Sequence, residues 1–117
     1  MSVRIWQCGG KIVFVPCSRV GHMFRIHFKH FKENFPYTFP GGTGKIVLAN
    51  KARCIEVWFS PHKAKFNQQL FHSDTIPNYI DMGDISDRLA LKEELKCRDF
   101  EWYVKNIYPE LISEVNL

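Results

Sequence analysis

The chain holds 117 residues, 45% apolar, 15% aromatic and 24% charged, enough hydrophobe for one packed core and too little length for two. Disordered, collagen-like and low-complexity classes are excluded, and apolar runs such as Ile12 to Val15 fall far short of the about 20 residues that cross a bilayer. The net charge of +4 conceals a division: residues 1–72 carry 11 Lys and Arg against two acids, a net +9, with all five histidines, whereas residues 73–117 carry five against ten, a net −5.

In chain order, residues 2–8 and 11–15 are β-prone runs joined by Gly9-Gly10, a dipeptide suited to a tight turn, so the spacing predicts a β-hairpin. Residues 22–44 mix aromatics, bases, Pro36, Pro40 and glycines without a sustained period. That composition reads as a long, mobile loop, the length at which loops tend to carry function. From Lys45, apolar Leu48, Ala52, Ile55 and Phe59 recur at helical spacing and predict an amphipathic helix that ends at Ser60-Pro61. A second helix is expected from an Asp84 cap, with Ile85, Leu89, Leu91 and Leu95 inward and Lys92, Glu93 and Glu94 outward. A third starts at Asp99, faces Phe100, Tyr103, Val104 and Ile107 inward, and is closed by Pro109; residues 67–83 read as irregular. The N-terminus lacks the basic and apolar regions of a secretory signal.

Several motifs fail on inspection. Pro40-Gly41-Gly42-Thr43-Gly44-Lys45 departs from a P-loop at Phe39 and Ile46, and its glycines suit a hinge ahead of a helix. His22, His27, His30 and Cys17 match no closed zinc spacing. Cys8, Cys17, Cys54 and Cys97 form no C-x-x-C pair and allow three complete pairings, or none if all are free thiols. Arg19, Arg25, Lys29 and Lys32 give the loop phosphate-pairing capacity. Their interleaving with Phe24, Phe28, Phe31 and Tyr37 also suits single-stranded nucleic acid, but no RNA- or DNA-binding signature accompanies it. The basic excess equally describes a solvated face neutralised by the acidic part of the chain.

Larger blocks point further. Arg4-Ile5-Trp6-Gln7-Cys8-Gly9-Gly10, Val15-Pro16-Cys17-Ser18-Arg19-Val20-Gly21-His22-Met23-Phe24-Arg25 and Pro36-Tyr37-Thr38-Phe39-Pro40-Gly41-Gly42 resemble the polypeptide N-acetylgalactosaminyltransferases. Glu56-Val57-Trp58, Ile85-Ser86-Asp87-Arg88-Leu89, Leu95-Lys96-Cys97 and the stretch from Trp102 to Leu111 continue the likeness in order. The resemblance implies the C-terminal part of a GT-A catalytic domain over residues 1–111, with residues 112–117 opening a linker. The expected fold class is α/β, an incomplete GT-A fold with a β-hairpin, a long mobile loop and about three helices.

By the same resemblance, the function is part of a retaining transferase that moves GalNAc from UDP-GalNAc to Ser or Thr of acceptor proteins in the Golgi lumen. His22 would be one ligand of Mn²⁺, whose other ligands lie upstream in the family. Imidazole with carboxylate suits a Mn²⁺ that grips a diphosphate. Arg25 and Tyr37 match the loop that closes over UDP, and Phe24 matches an aromatic at the acceptor groove. Cys8 and Cys97 match a family disulfide, Cys17 matches a cysteine that pairs upstream, and Cys54 has no counterpart.

The sequence departs from the family in three ways. It begins inside the family's Gal/GalNAc-T motif, without the W-G-G-E-N and D-x-H elements, so the 117 residues alone are expected to be inactive. About seven extra residues stand between Arg25 and Pro36, including His27, Lys29, His30 and Lys32, by comparison with the family's usual stretch. Phe35 occupies the position of the family's usual His before Pro36. The rival expectations are a basic module that binds nucleic acid or an acidic partner, and a truncated product without a function of its own.

Overall fold

A computed structural model of the chain describes residues 2–21 and 42–116. These residues form six helices: α1 (Ser2–Gln7), α2 (Thr43–Trp58), α3 (Lys63–Phe71), α4 (Ser86–Glu94), α5 (Phe100–Asn106) and α6 (Leu111–Val115).

The expected hairpin is corrected at its first strand, because residues 2–7 are helical. Gly9 takes φ +82, the Gly9 N–H bonds the Trp6 carbonyl at 3.2 Å, and the Gly10 N–H bonds the Ile5 carbonyl at 2.8 Å. That pair of bonds is a Schellman cap. A Gly-Gly pair supplies the left-handed residue that either a hairpin turn or a helix C-terminus needs, so the dipeptide alone cannot choose between them. Tertiary packing chooses: Val3 and Trp6, one helical turn apart, rest together against the Phe100, Tyr103 and Val104 cluster. Residues 11–15 are exposed and carry no regular structure, and among the described residues there is no strand to pair with their backbone groups.

α2 follows its periodicity. Ala52 and Ile55 are buried, and Phe59 closes the helix by donating its N–H to the Ile55 carbonyl at 3.1 Å. Two carbonyls of the last turn, those of Val57 and Trp58, are met by side chains from elsewhere in the chain. Gln7 Nε2 donates to the Trp58 carbonyl at 3.0 Å and Lys92 Nζ to the Val57 carbonyl at 2.7 Å. Beyond the helix, the Phe100 N–H bonds the Ser60 carbonyl at 3.0 Å. The N-terminal helix and the region of Lys92 to Phe100, both remote from α2 in sequence, therefore converge on its C-terminal end.

This convergence corrects the expected orientation of α4 at its leucines and at Lys92, while Ile85 is half-buried and Glu93 and Glu94 are exposed, as expected. Leu89, Leu91 and Leu95 are 43%, 42% and 53% exposed, whereas Lys92 is half-buried and lies 5.6 Å over the Trp58 ring. A lysine can lay its aliphatic stem along the protein while its ammonium reaches the negative end of a helix dipole. Burial, followed by repulsion from Lys63, lowers the Lys92 pKa.

The core is aromatic. Phe100, 1% exposed, stacks on Phe59 at 4.5 Å and on Tyr103 at 5.6 Å, while Phe66 meets it edge-on at 5.4 Å. α5 is started by Asp99, whose Oδ1 accepts the Trp102 N–H at 2.7 Å. α3 falls partly in the region expected to be irregular. Its helical signal is weak because Phe66 and Leu70 alone mark an apolar stripe in a polar segment.

An ion-pair chain flanks this core: Glu101 Oε2 meets His62 Nε2 at 2.5 Å and Glu101 Oε1 meets Lys105 Nζ at 2.8 Å. Lys105, and after it His62, holds the Glu101 carboxyl below the usual carboxylate range. A depressed folded-state pKa contributes stability above the unfolded value and loses it as the pH falls through the folded one. The melting temperature is therefore expected to fall on acidification below about pH 4. Glu101→Gln is expected to flatten that acid limb in a pH series of melting curves, and an unchanged limb would assign the acid sensitivity to other carboxylates.

Candidate functional site

His22, Phe24, Arg25 and Tyr37, the residues expected at the metal, the acceptor groove and the UDP loop, all lie outside the described residues. So do Phe35 and the extra residues between Arg25 and Pro36. The structure describes the frame on either side of that segment.

On the N-terminal side, the chain leaves the α1 cap through an exposed stretch to Gly21, with a turn in which the Ser18 N–H bonds the Val15 carbonyl at 3.1 Å. On the C-terminal side it enters α2 at Thr43 after Gly42, whose φ of 90 and ψ of 149 lie where residues with a Cβ are strained. The expectation of a hinge at residues 40–44 thus has one glycine-requiring position within the described residues. The first turn of α2 holds Lys45 and no acid, so side-chain charge and the positive end of the helix dipole reinforce each other there.

The frame is fastened covalently. Cys8 and Cys97 form a disulfide with their Cα atoms 4.1 Å apart, closing a sequence separation of 89 residues that contains the whole segment 22–41. Next to it, the Arg98 N–H donates to the Gln7 carbonyl at 2.8 Å. Gln7 itself is 1% exposed, and its side chain bridges α1 to α2. Sequence reasoning gave Gln7 no role, because a glutamine within an apolar run carries no pattern; only its partner, a helix-terminal carbonyl 51 residues away, reveals the role. Cys17 is exposed and free, and Cys54 is free and half-buried, with its thiol pKa raised by burial. Among the described residues no three His, Cys, Asp or Glu side chains converge as a metal centre, and no helix is long and apolar enough to cross a membrane.

The relatives of this chain are glycosyltransferases. Polypeptide N-acetylgalactosaminyltransferase 4 of Caenorhabditis elegans is 43% identical over 113 residues, covering 95% of this chain and 17% of its own length. Polypeptide N-acetylgalactosaminyltransferase 13 of Homo sapiens is 46% identical over 110 residues, covering 94% of this chain and 18% of its own length. No family model matches. A crystal structure of GalNAc-T7 with UDP, GalNAc and Mn²⁺ matches with a TM-score of 0.68 and 34% identity, over 99% of this chain and 19% of that one. The chain is thus a homologue of the polypeptide N-acetylgalactosaminyltransferases over nearly all its residues, and it spans less than a fifth of their length.

Proposed function

We propose that this chain is a segment of a retaining, GT-A-type transferase that moves GalNAc from UDP-GalNAc to Ser or Thr of acceptor proteins. The observation that carries the reading is the 34% identical match, over 99% of the chain, to a GalNAc-T7 structure holding UDP, GalNAc and Mn²⁺. Within this reading His22 is the segment's ligand to Mn²⁺, a metal that would stabilise charge on the departing diphosphate. Arg25 pairs with the phosphates, Tyr37 hydrogen-bonds in the closed donor loop, and Phe24 flanks the acceptor. The Golgi lumen suits the Cys8–Cys97 bridge, since disulfides persist in oxidising compartments.

The disulfide, Gln7 and Arg98 fasten α1, the C-terminal end of α2 and the segment after α4 to one another, and the expected donor loop lies in the chain between α1 and α2. One metal ligand cannot complete a site, so turnover requires the remaining ligands from outside these 117 residues.

The test is a chimera. Residues 2–111 replace the aligned segment of human polypeptide N-acetylgalactosaminyltransferase 13, and Mn²⁺-dependent transfer from UDP-GalNAc to a threonine peptide is measured. Transfer is expected, with Arg25→Ala or His22→Ala lowering kcat/KM by about 10²-fold or more, the scale of losing one positioned electrostatic contact. A folded chimera whose rate ignores both substitutions would refute the reading. Affinity for RNA that falls steeply with salt and ignores Mn²⁺ would favour the basic-module alternative.

A further inference from the structure

The free thiol of α2 opens into an apolar cleft beside the aromatic core. Cys54 and Ile55 of α2, Phe59, and Phe66 and Leu70 of α3 form the walls of a cavity of about 290 Å³. That volume lies at the lower end of the range of small-ligand pockets, about 300 to 1,000 Å³. The walls are fixed by the core itself: Ile55 is buried, and Phe59, which stacks on Phe100, meets the Phe66 ring edge-on at 4.5 Å. Apart from the Cys54 thiol, the polar side chains that line the cleft are Lys51 and Gln69, both exposed. A bound water needs two to four polar partners. Water in this cleft is therefore poorly held, and an apolar group gains by displacing it.

The charge around the cleft is of one sign. Lys51 is the charged residue of the lining, and no Asp or Glu stands among the lining residues. Burial raises the Cys54 thiol pKa, and positive charge that includes Arg4 opposes the rise, so the field at the thiol favours an anion. A lysine at the rim of an apolar cleft can lay its stem along the wall and keep its ammonium in water. The ligand that matches both features has an apolar body and a single anionic head. It is held without a covalent bond, because a thiol kept protonated by burial is a poor nucleophile.

We propose that the cleft between α2 and α3 binds a small amphipathic anion, the alkyl chain of a medium-length carboxylic acid lying on Phe59, Phe66 and Leu70 with its carboxylate at Lys51. The site does not depend on the transferase reading, since none of its residues belongs to the expected donor loop or metal site.

The chain carries its own reporter and control, because Cys54 lines the cleft whereas Cys17 is free and exposed elsewhere. The 117-residue chain is alkylated with iodoacetamide under rising concentrations of decanoate, below micelle formation, and the rate at each cysteine is read by peptide mass spectrometry. Decanoate is expected to slow Cys54 saturably and leave Cys17 unchanged. Octanoate, shorter by two methylenes, should bind about tenfold more weakly. Lys51→Glu should weaken decanoate by about tenfold and decan-1-ol by no more than about twofold. Lys51 is exposed, so the variant keeps the fold, which a melting curve matching the parent's would verify. The proposal is overturned if decanoate leaves the Cys54 rate unchanged or slows Cys17 equally, if octanoate binds as tightly as decanoate, or if Lys51→Glu binds decanoate as the parent does. It is likewise overturned if Cys54 becomes protected with rising protein concentration alone, which would assign the cleft to a second copy of the chain.

Discussion

Breaking the Cys8–Cys97 bond is expected to remove about a third or more of the protein's net stability and to lower its melting temperature sharply. The bridge closes a separation of 89 residues, and on the chain-entropy account a loop of that size contributes about 4 to 5 kcal/mol by restricting the unfolded chain. Whole domains have only about 5 to 15 kcal/mol of net stability. The loss should be larger still in effect, because the bond sits beside the Arg98-to-Gln7 and Gln7-to-Trp58 hydrogen bonds that join α1 to the rest. Melting curves of the Cys8→Ser variant, and of the parent chain with and without reductant, test this directly. Cys17→Ser and Cys54→Ser serve as controls, since both thiols are free. Superimposable curves for the parent and Cys8→Ser would show that packing alone holds the frame.

The second large effect is expected at Phe100. It is 1% exposed and touches Phe59, Phe66 and Tyr103 at once, so truncation removes an entire ring from a site with little freedom to collapse. Phe100→Ala should cost about 3 to 5 kcal/mol, read as a lowered denaturant midpoint. Leu89→Ala makes the informative contrast. The amphipathic reading of α4 puts Leu89 in a core, but the residue is 43% exposed, and a change at an exposed position is expected to stay within about 0.5 kcal/mol. Equal losses at the two positions would restore the inward orientation of α4 and contradict the structure.

Legibility in the sequence followed the range of the interaction. α2 and α5 were readable because both the signal and its cause are local: apolar residues repeat on one face, and Asp99 caps a helix three residues from the N–H it accepts. The region of α3 was not, because a nine-residue helix with two well-placed apolar residues carries almost no periodic signal. α4 was readable as a helix but not in its orientation. The leucines define a face by pattern, yet the helix turns Lys92 inward, because the open carbonyl of Val57 at the end of α2 offers that ammonium a partner 35 residues away.

The candidate site divides in the same way. The family was legible as ordered blocks of residues, and the matches at 43% and 46% identity bear it out; His22, Phe24, Arg25 and Tyr37, named from the same blocks, lie outside the described residues. The frame was legible in part: the resemblance implied the Cys8–Cys97 bridge that the structure forms, whereas Gln7 was missed because it acts only through a partner remote in sequence.

What the sequence by itself determined is the kinship, the charge division and the helices whose causes lie within a few residues. Tertiary structure decided whether Gly9-Gly10 would turn a hairpin or cap a helix, where Lys92 of α4 would lie, and which distant carbonyl the Gln7 side chain would meet. The physical reason is shared by all three. Local backbone preferences differ by about 1 kcal/mol or less between the alternatives, and burying one aromatic side chain or meeting one buried carbonyl outweighs that difference.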